Sequence, residues 1–429
     1  MVFCTCRYTW LLCCKIFLRV VTIYAKNKIL INGISLNLIL YFCVQEKINS
    51  ITSYIMENTE NLKKTVFNEM HREMGAKMVP FAGFDMPVQF EGVNIEHETV
   101  RKGVGVFDVS HMGEFRAKGP KAFAFVQRCT TNDVAALTDG KVQYTCLPNG
   151  KGGIVDDMLV YRVAADEYFM VPNAANIDKD WAWMAAVAQE MGMELGVEFV
   201  NESDQWSQLA VQGPLALKAM QKLTATTVED MEYYTFKILE FAGVKDVIFS
   251  TTGYTGSGGC EIYMPNDKAV EIYKKVLEAG AEFGIKPAGL GSRDTLRLEM
   301  GFCLYGNDIC DTTSPIEAGL AWITKFVDGN DFIDREYNEK QKTEGVTRQL
   351  RAFEITGKGI ARHGYEICDA EGNVIGEVTS GTMGPSVKKA IGMGYVAKSH
   401  CKFGNEIFIK VREKLIPATI VKLPFYKGE

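Results

Sequence analysis

A glycine-dense loop running straight into a strand, GYTGSGGCEIYMP at Gly253 to Pro265, restricts this chain more than any other stretch. Four glycines around Tyr254 and Thr255 allow a backbone to come very close to something flat or charged. Shortly after it, GLGSRDTLRLEMGFCLYGND at Gly289 to Asp308 sets Arg293 and Glu299 beside apolar turns. Charged side chains held next to a tight loop read as a site, not as core. At 429 residues the chain exceeds one ordinary core, so two or three domains are expected. With 47% hydrophobic and 23% charged residues the chain is globular, and a net charge of −6 gives no footing for a nucleic-acid backbone.

Twelve cysteines include no CxxC pair, so metal-site spacing is absent. Lone cysteines in α/β-type sequence suit a reducing compartment. The first 55 residues differ from the rest, with Glu46 as their single acidic residue, and their apolar run is broken by Lys15 and Arg19. That makes a poor membrane span, with no clear cleavage motif after it. The expectation is that Met56 opens the functional protein and that the extension is an upstream or disordered segment. A presequence is the alternative.

Leu62, Val66, Phe67, Met70 and Met74 recur at helical spacing, with Gly75 placed to end a first helix. Further helices are expected after Pro120 and Pro214, and from a cap at Asp267. Between Val142 and Asn176 the pattern predicts a meander: VQYTCLP, a turn, IVDDMLVYRV, a turn, YFMVPN. Folded about turns near Asn149 to Gly152 and Ala165 to Asp166, it sets Tyr144 opposite Asp157 and Asp157 beside Asn173. A slip of one residue would send Asp157 to the other face. From about Arg348, short strands and frequent glycine turns predict a separate small β-barrel, joined by the polar linker DGNDFIDREYNEKQKTEGVTRQ.

MVPFAGFDMPVQF, GVFDVSHMGE, GGIVDDMLVYR, LAVQGP, GYTGSGGCEIY, GLGSRDTLRLEMGFCLYGND and VTSGTMGPSVKKAIGMGYV occur in this order along the chain. In this the sequence after Met56 resembles the T-proteins of the glycine cleavage system, the aminomethyltransferases. The resemblance implies an α+β fold, a folate-binding region of two intertwined lobes over residues 56–335, followed by a C-terminal β-barrel over 346–427. It also implies a reaction: an aminomethyl group carried on the lipoyl arm of H-protein passes to tetrahydrofolate, with release of ammonia. The expected location is cytoplasmic, or the mitochondrial matrix if the extension is a presequence. No metal, nucleic acid or membrane is expected.

Carried over residue by residue, the resemblance implies that Asp157 is the catalytic carboxylate, stabilising positive charge on an iminium-like carbon and a departing ammonia. The plain alternative is a polar strand end. Tyr144 and Asn173 match folate-contacting positions, against ordinary cross-strand packing. Glu261 points away from apolar Cys260, Ile262 and Met264, and the family match gives it the aminopyrimidine edge of a pterin. Arg293, after Ser292 as helix cap, would hold a ligand carboxylate or orient the acids. Arg297 reads as structural, pairing with Glu299 or an acidic neighbour. Tyr254 and Met112 match ligand-lining positions, where simple packing is as common.

Other patterns carry less. DVSH at Asp108 to His111 cannot form a nucleophilic triad, because neighbouring strand residues alternate faces. GYTGSGG lacks the ending of a phosphate loop. Lys388 and Lys389 read as a solvated face rather than a contact for an acidic carrier. Two other functions stay open at this level: a folate-dependent demethylase or oxidase domain, which a missing flavin-binding half disfavours, and a non-catalytic folate-binding accessory protein. The latter carries a KGCYxGQE-like motif that YTGSGGCEIY does not reproduce.

Overall fold

The computed structural model describes residues 62–428. The expected start at Met56 and the extension before it lie outside them. Two sheets form the larger part. One has six strands in the order Phe236–Phe241, Val244–Ser250, Gly259–Pro265, Trp206–Gln212, Gly105–Asp108, Lys286–Pro287. The other has five, in the order Val142–Pro148, Ile154–Ala164, Glu167–Val171, Phe115–Lys118, Phe199–Asn201. The chain leaves the first sheet after Gly105–Asp108, builds the second, and returns at Trp206–Gln212. The two α+β lobes are therefore intertwined.

Strand alternation decides what each face meets. Leu209 and Val211 pair across the ladder with Ile262 and Cys260 and bury against Ala269, Ile272 and Tyr273 of helix Asn266–Gly280. The five-stranded sheet likewise buries Phe115, Val160 and Met170 with residues of helices Ala122–Cys129 and Ile177–Glu190. The remaining faces of the two sheets meet each other through Tyr161, Phe169, Phe236, Ile248 and Tyr263. Tyr161 and Tyr263 hydroxyls bond across the junction at 2.9 Å. On these inner faces lie Glu261 and Gln208, at the strand ladder where apolar neighbours point the other way.

The expected barrel is present: six strands from Arg348–Ile355 to Lys414–Val421 close on themselves. It is tied to the rest by helix Leu290–Met300, whose Arg297 donates to Asp308 at 2.6 Å and to Ser380 of the barrel strand Val374–Gly384 at 2.9 Å. Among the described residues no helix is long and apolar enough to cross a membrane. The seven cysteines among the described residues are free thiols.

Several local expectations differ from the structure. The first helix is only Asn68–Glu73, because Lys63 is held as an extended edge by backbone bonds to Gly83 and Asp85. Asp267 is not a cap. Pro265 takes that place and Asp267 lies in the first turn, where its charge complements the helix end. Ser292 is not a cap either: Gly289 is, and the Ser292 hydroxyl donates back to its carbonyl at 2.9 Å. The polar linker contains helix Arg335–Glu344, laced by the spaced pairs Arg335–Glu339 and Lys340–Glu344. Lys389 faces outward and pairs with Glu354 at 2.7 Å, while the exposed Lys388 sits in a turn at φ +55°.

Candidate functional site

Strands Val142–Pro148 and Ile154–Ala164 pair so that Cys146, not Tyr144, stands opposite Asp157. Tyr144 stands opposite Leu159. This shift of two residues preserves the face, since side chains alternate with period two. Tyr144 then reaches along the diagonal, and its hydroxyl donates to Asp157 Oδ2 at 2.7 Å. The second turn has the expected register, with Leu159 opposite Val171, which carries Asn173 alongside Asp157. The Asn173 amide donates to Asp157 Oδ1 at 3.0 Å and to its backbone carbonyl at 2.9 Å. The trio read from the meander thus meets in space by a register different from the expected one.

These three residues border a cavity of about 1080 Å³ whose wall also includes Met112, Tyr254, Glu261 and Arg293. All seven residues that the resemblance assigned to the site line this single space, and Glu299, set beside Arg293 in the sequence, is not among the lining residues. Glu261 accepts a hydrogen bond from the Thr252 hydroxyl. Arg293, four residues before Arg297 on the same helix, lies with its guanidinium 4.9 Å from the centre of the Tyr254 ring. That ring stacks on Phe302, and its hydroxyl donates to the Cys303 carbonyl. Met112 packs against the cluster of Phe107, Ala288 and Leu296.

The glycine loop plays a different part from the one expected. Gly256, Gly258 and Gly259 adopt positive φ, and a Cβ at Gly259 would meet the Val211 carbonyl at 2.3 Å. A Cβ at Gly253 would run into the Gln212 amide at 2.0 Å. The close approach is thus made to the protein's own strand. Only Gly253 and Tyr254 of this loop reach the cavity wall.

Electrostatically the site is short of cations near Asp157. Burial, together with the neighbouring Asp156, pushes the Asp157 carboxyl up to about 7, against the opposing bonds from Tyr144 and Asn173. Asp156, fully buried, is also raised by burial. Glu261 is raised by burial, with Thr252 and Arg293 acting the other way. Burial lowers the Arg293 guanidinium, which Glu261 partly offsets. His111 is brought down to about 4 by burial and is neutral at physiological pH. Arg297, by contrast, is satisfied: Asp308 and Asp294 accept from it, not Glu299. Glu299 instead pairs with His97 and Arg101.

Comparison with known proteins bears on what such a cavity serves. Residues 67–328 match the family model described as the GCVT N-terminal domain, and residues 348–427 match the glycine cleavage T-protein C-terminal barrel domain. The chain belongs to the glycine cleavage T-protein family. An "Aminomethyltransferase" of Flavobacterium psychrophilum is 58% identical over 366 residues, 85% of this chain and 100% of that protein. One of the same name from Chloroherpeton thalassium is 47% identical over 364 residues, 85% of this chain and 99% of that protein. Among solved structures, the glycine cleavage system aminomethyltransferase T of Bartonella henselae superposes with a TM-score of 0.78 at 33% identity. That match covers 86% of this chain and 99% of that one.

Within this T-protein scaffold, sequence reasoning passed over several cavity-lining residues. Gln208 was legible: in WSQLAVQ it shares a face with Ala210 and Gln212, opposite the apolar Leu209 and Val211, and it pairs with Tyr263, two residues from Glu261. His111 was set aside with the discarded triad, and indeed the Asp108 carboxylate is taken by His71 and Thr65. The His111 ring nevertheless reaches the cavity, edge-on to Phe81. Trp322, 61% exposed at the rim beside Tyr144, gave no sequence signal, because it lies in a short 3-10 turn without periodicity.

Proposed function

We propose that the chain is an aminomethyltransferase of the glycine cleavage system, that its cavity receives tetrahydrofolate, and that the aminomethyl group arrives on the lipoyl arm of H-protein. One observation carries this reading. A buried carboxylate, Asp157, faces a cavity large enough for a pterin and is held there by Tyr144 and Asn173. Family membership and near full-length identity to aminomethyltransferases support the reaction class.

The lining suits a reduced folate. Gln208, His111 and Arg293 line the cavity, and each carries one buried polar atom, respectively Oε1, Nδ1 and a guanidinium nitrogen, without a hydrogen-bond partner. Orphaned polar atoms of this kind are costly unless a ligand satisfies them. Glu261 would accept from the aminopyrimidine edge, and Arg293 would hold a carboxylate or anchor Glu261. Tyr254, Met112 and Tyr144 would enclose the ring. Tetrahydrofolate supplies the two nitrogens that take the one-carbon unit.

Asp157 supplies a fixed negative charge where the carbon and the departing ammonia become positive. Ionised, it stabilises that charge; Tyr144 and Asn173 keep it from turning away. With a carboxyl near 7, turnover falls as pH drops below neutrality. The products are 5,10-methylenetetrahydrofolate, ammonia and the dihydrolipoyl arm. We place the reaction in the cytoplasm.

The test is direct: purified protein, aminomethylated H-protein and tetrahydrofolate, with ammonia release followed with and without the folate. Stimulation by folate is expected. Folate bound without any acceleration would leave a passive binder and end this reading.

A further inference from the structure

Behind Asp157 lies a second, fully enclosed acidic pair. Asp156 and Asp180 are both 0% exposed. Asp156 accepts from the Asn173 backbone N–H at 2.8 Å, the Asn173 amide at 2.9 Å and the Asn176 amide at 2.6 Å. Asp180, in the first turn of helix Ile177–Glu190, receives no N–H or O–H at either oxygen. Two carboxylates cannot share such a space ionised. The donors all converge on Asp156, so Asp156 carries the charge, and Asp180 is the group left to hold a proton.

We propose that Asp180 is a positioning residue for aminomethyl transfer: as the neutral acid it donates its O–H to Asp156 and so fixes the Asn173 amide that holds Asp157. This rests on the function proposed above. Burial and the facing Asp156 push the Asp180 carboxyl up to about 12, consistent with a permanent proton. Asn173 Nδ2 is the link, since it donates to both Asp156 and Asp157. With Asp156 saturated by four donors, that amide has one arrangement and Asp157 one orientation.

Other titratable groups near the cluster have partners or protons of their own. From the same helix, Lys179 turns to the Tyr305 hydroxyl at 2.7 Å and to Asp311 at 3.7 Å. Tyr144, Cys146, Tyr254 and Cys303 face Asp157, all raised by burial and so neutral. None of them adds to the three N–H donors that Asn173 and Asn176 give Asp156, so the fourth donor is the Asp180 O–H.

The experiment compares Asp180→Asn with Asp180→Ala in the full chain. The amide still presents a donor to Asp156, so Asp180→Asn retains turnover within about twofold of wild type. Asp180→Ala loses about tenfold in kcat. It also moves the acidic limb of the kcat profile to lower pH, because Asp156, short of a donor, takes up a proton and no longer opposes ionisation of Asp157. A merely structural Asp180 would lower the melting temperature and leave that limb in place, which overturns the proposal. So does an Asp180→Asn variant as slow as Asp180→Ala. A readout that needs no turnover is infrared difference spectroscopy at about pH 8, where Asp180→Asn should lose one protonated-carboxyl C=O band. An unchanged band overturns the assignment of the proton even if folate fails to stimulate the wild type, an outcome that would count against the proposed function separately.

Discussion

Two sets of buried charge border or brace the same cavity, and they are balanced in opposite ways. Around helix Leu290–Met300 every acid meets a base: Arg297 with Asp308, and Glu299 with both His97 and Arg101. Asp308 also accepts from Leu304 N and from Thr379 and Ser380 of the barrel. Around Asp157 three carboxyls gather, and among the described residues none has a cation within ion-pair distance. The first arrangement is a joint between lobes and barrel. In the function proposed above, the second stores an unfavourable charge where a positive one would later form.

Breaking the balanced set should cost the most. Asp308→Ala leaves Arg297 buried with only the half-exposed Asp294, and about 3–5 kcal/mol of stability is expected to go, read as a lower urea midpoint. A midpoint unchanged from wild type would remove the joint from the account. In the unbalanced set, Asp157→Ala should leave the fold intact and cut turnover by about two orders of magnitude, with folate affinity far less affected. Equal losses in both would make Asp157 a binding residue instead.

Glu261→Gln and Arg293→Met should weaken tetrahydrofolate binding by about tenfold each, through a lost charged hydrogen bond. Normal affinity in both, by isothermal titration, would place the pterin elsewhere in the cavity. The smallest effect concerns pH. Glu299 is held at about 2 by His97 and Arg101 despite its burial, against an ordinary value of 4.5. Its stabilisation is complete above 4.5 and disappears as pH falls toward 2. Asp157 runs the other way, with an ordinary value of 3.8 raised to about 7. The native state binds the extra proton in that window, so stability declines as pH rises through it. Asp157→Asn should therefore melt higher than wild type at about pH 8, by on the order of 1 kcal/mol, while losing activity. A lower melting point would mean that the carboxylate is not strained in the native state.

What could be read from sequence follows from how local each feature is. The meander was visible because its two turns and alternating faces lie within 35 residues, and the inward direction of Glu261 followed from Cys260 and Ile262. Its register was misjudged by two: a bulge between Leu147 and Pro148, which leaves no compositional mark, accounts for one residue, and the turn, which sets Pro148 opposite Ile154, accounts for the other. The partner of Arg297 was missed for a different reason. Asp308 lies 11 residues on, past a loop, and its choice depends on Ser380, 83 residues away from the arginine. The glycine loop was noticed but misassigned, because only the fold reveals that Gln212 and Val211 fill the space beside it.

The chain's departure from the six-stranded sheet and later return also bears on how the protein is made. Strand Gly105–Asp108 pairs on one side with Trp206–Gln212 and on the other with Lys286–Pro287. On a ribosome adding about 5–20 residues per second, it waits roughly ten seconds or more for its neighbours. Throughout that interval Val106 and Phe107 have no finished sheet to bury them, and the nascent polypeptide depends on whatever shields such a segment until translation has passed residue 287.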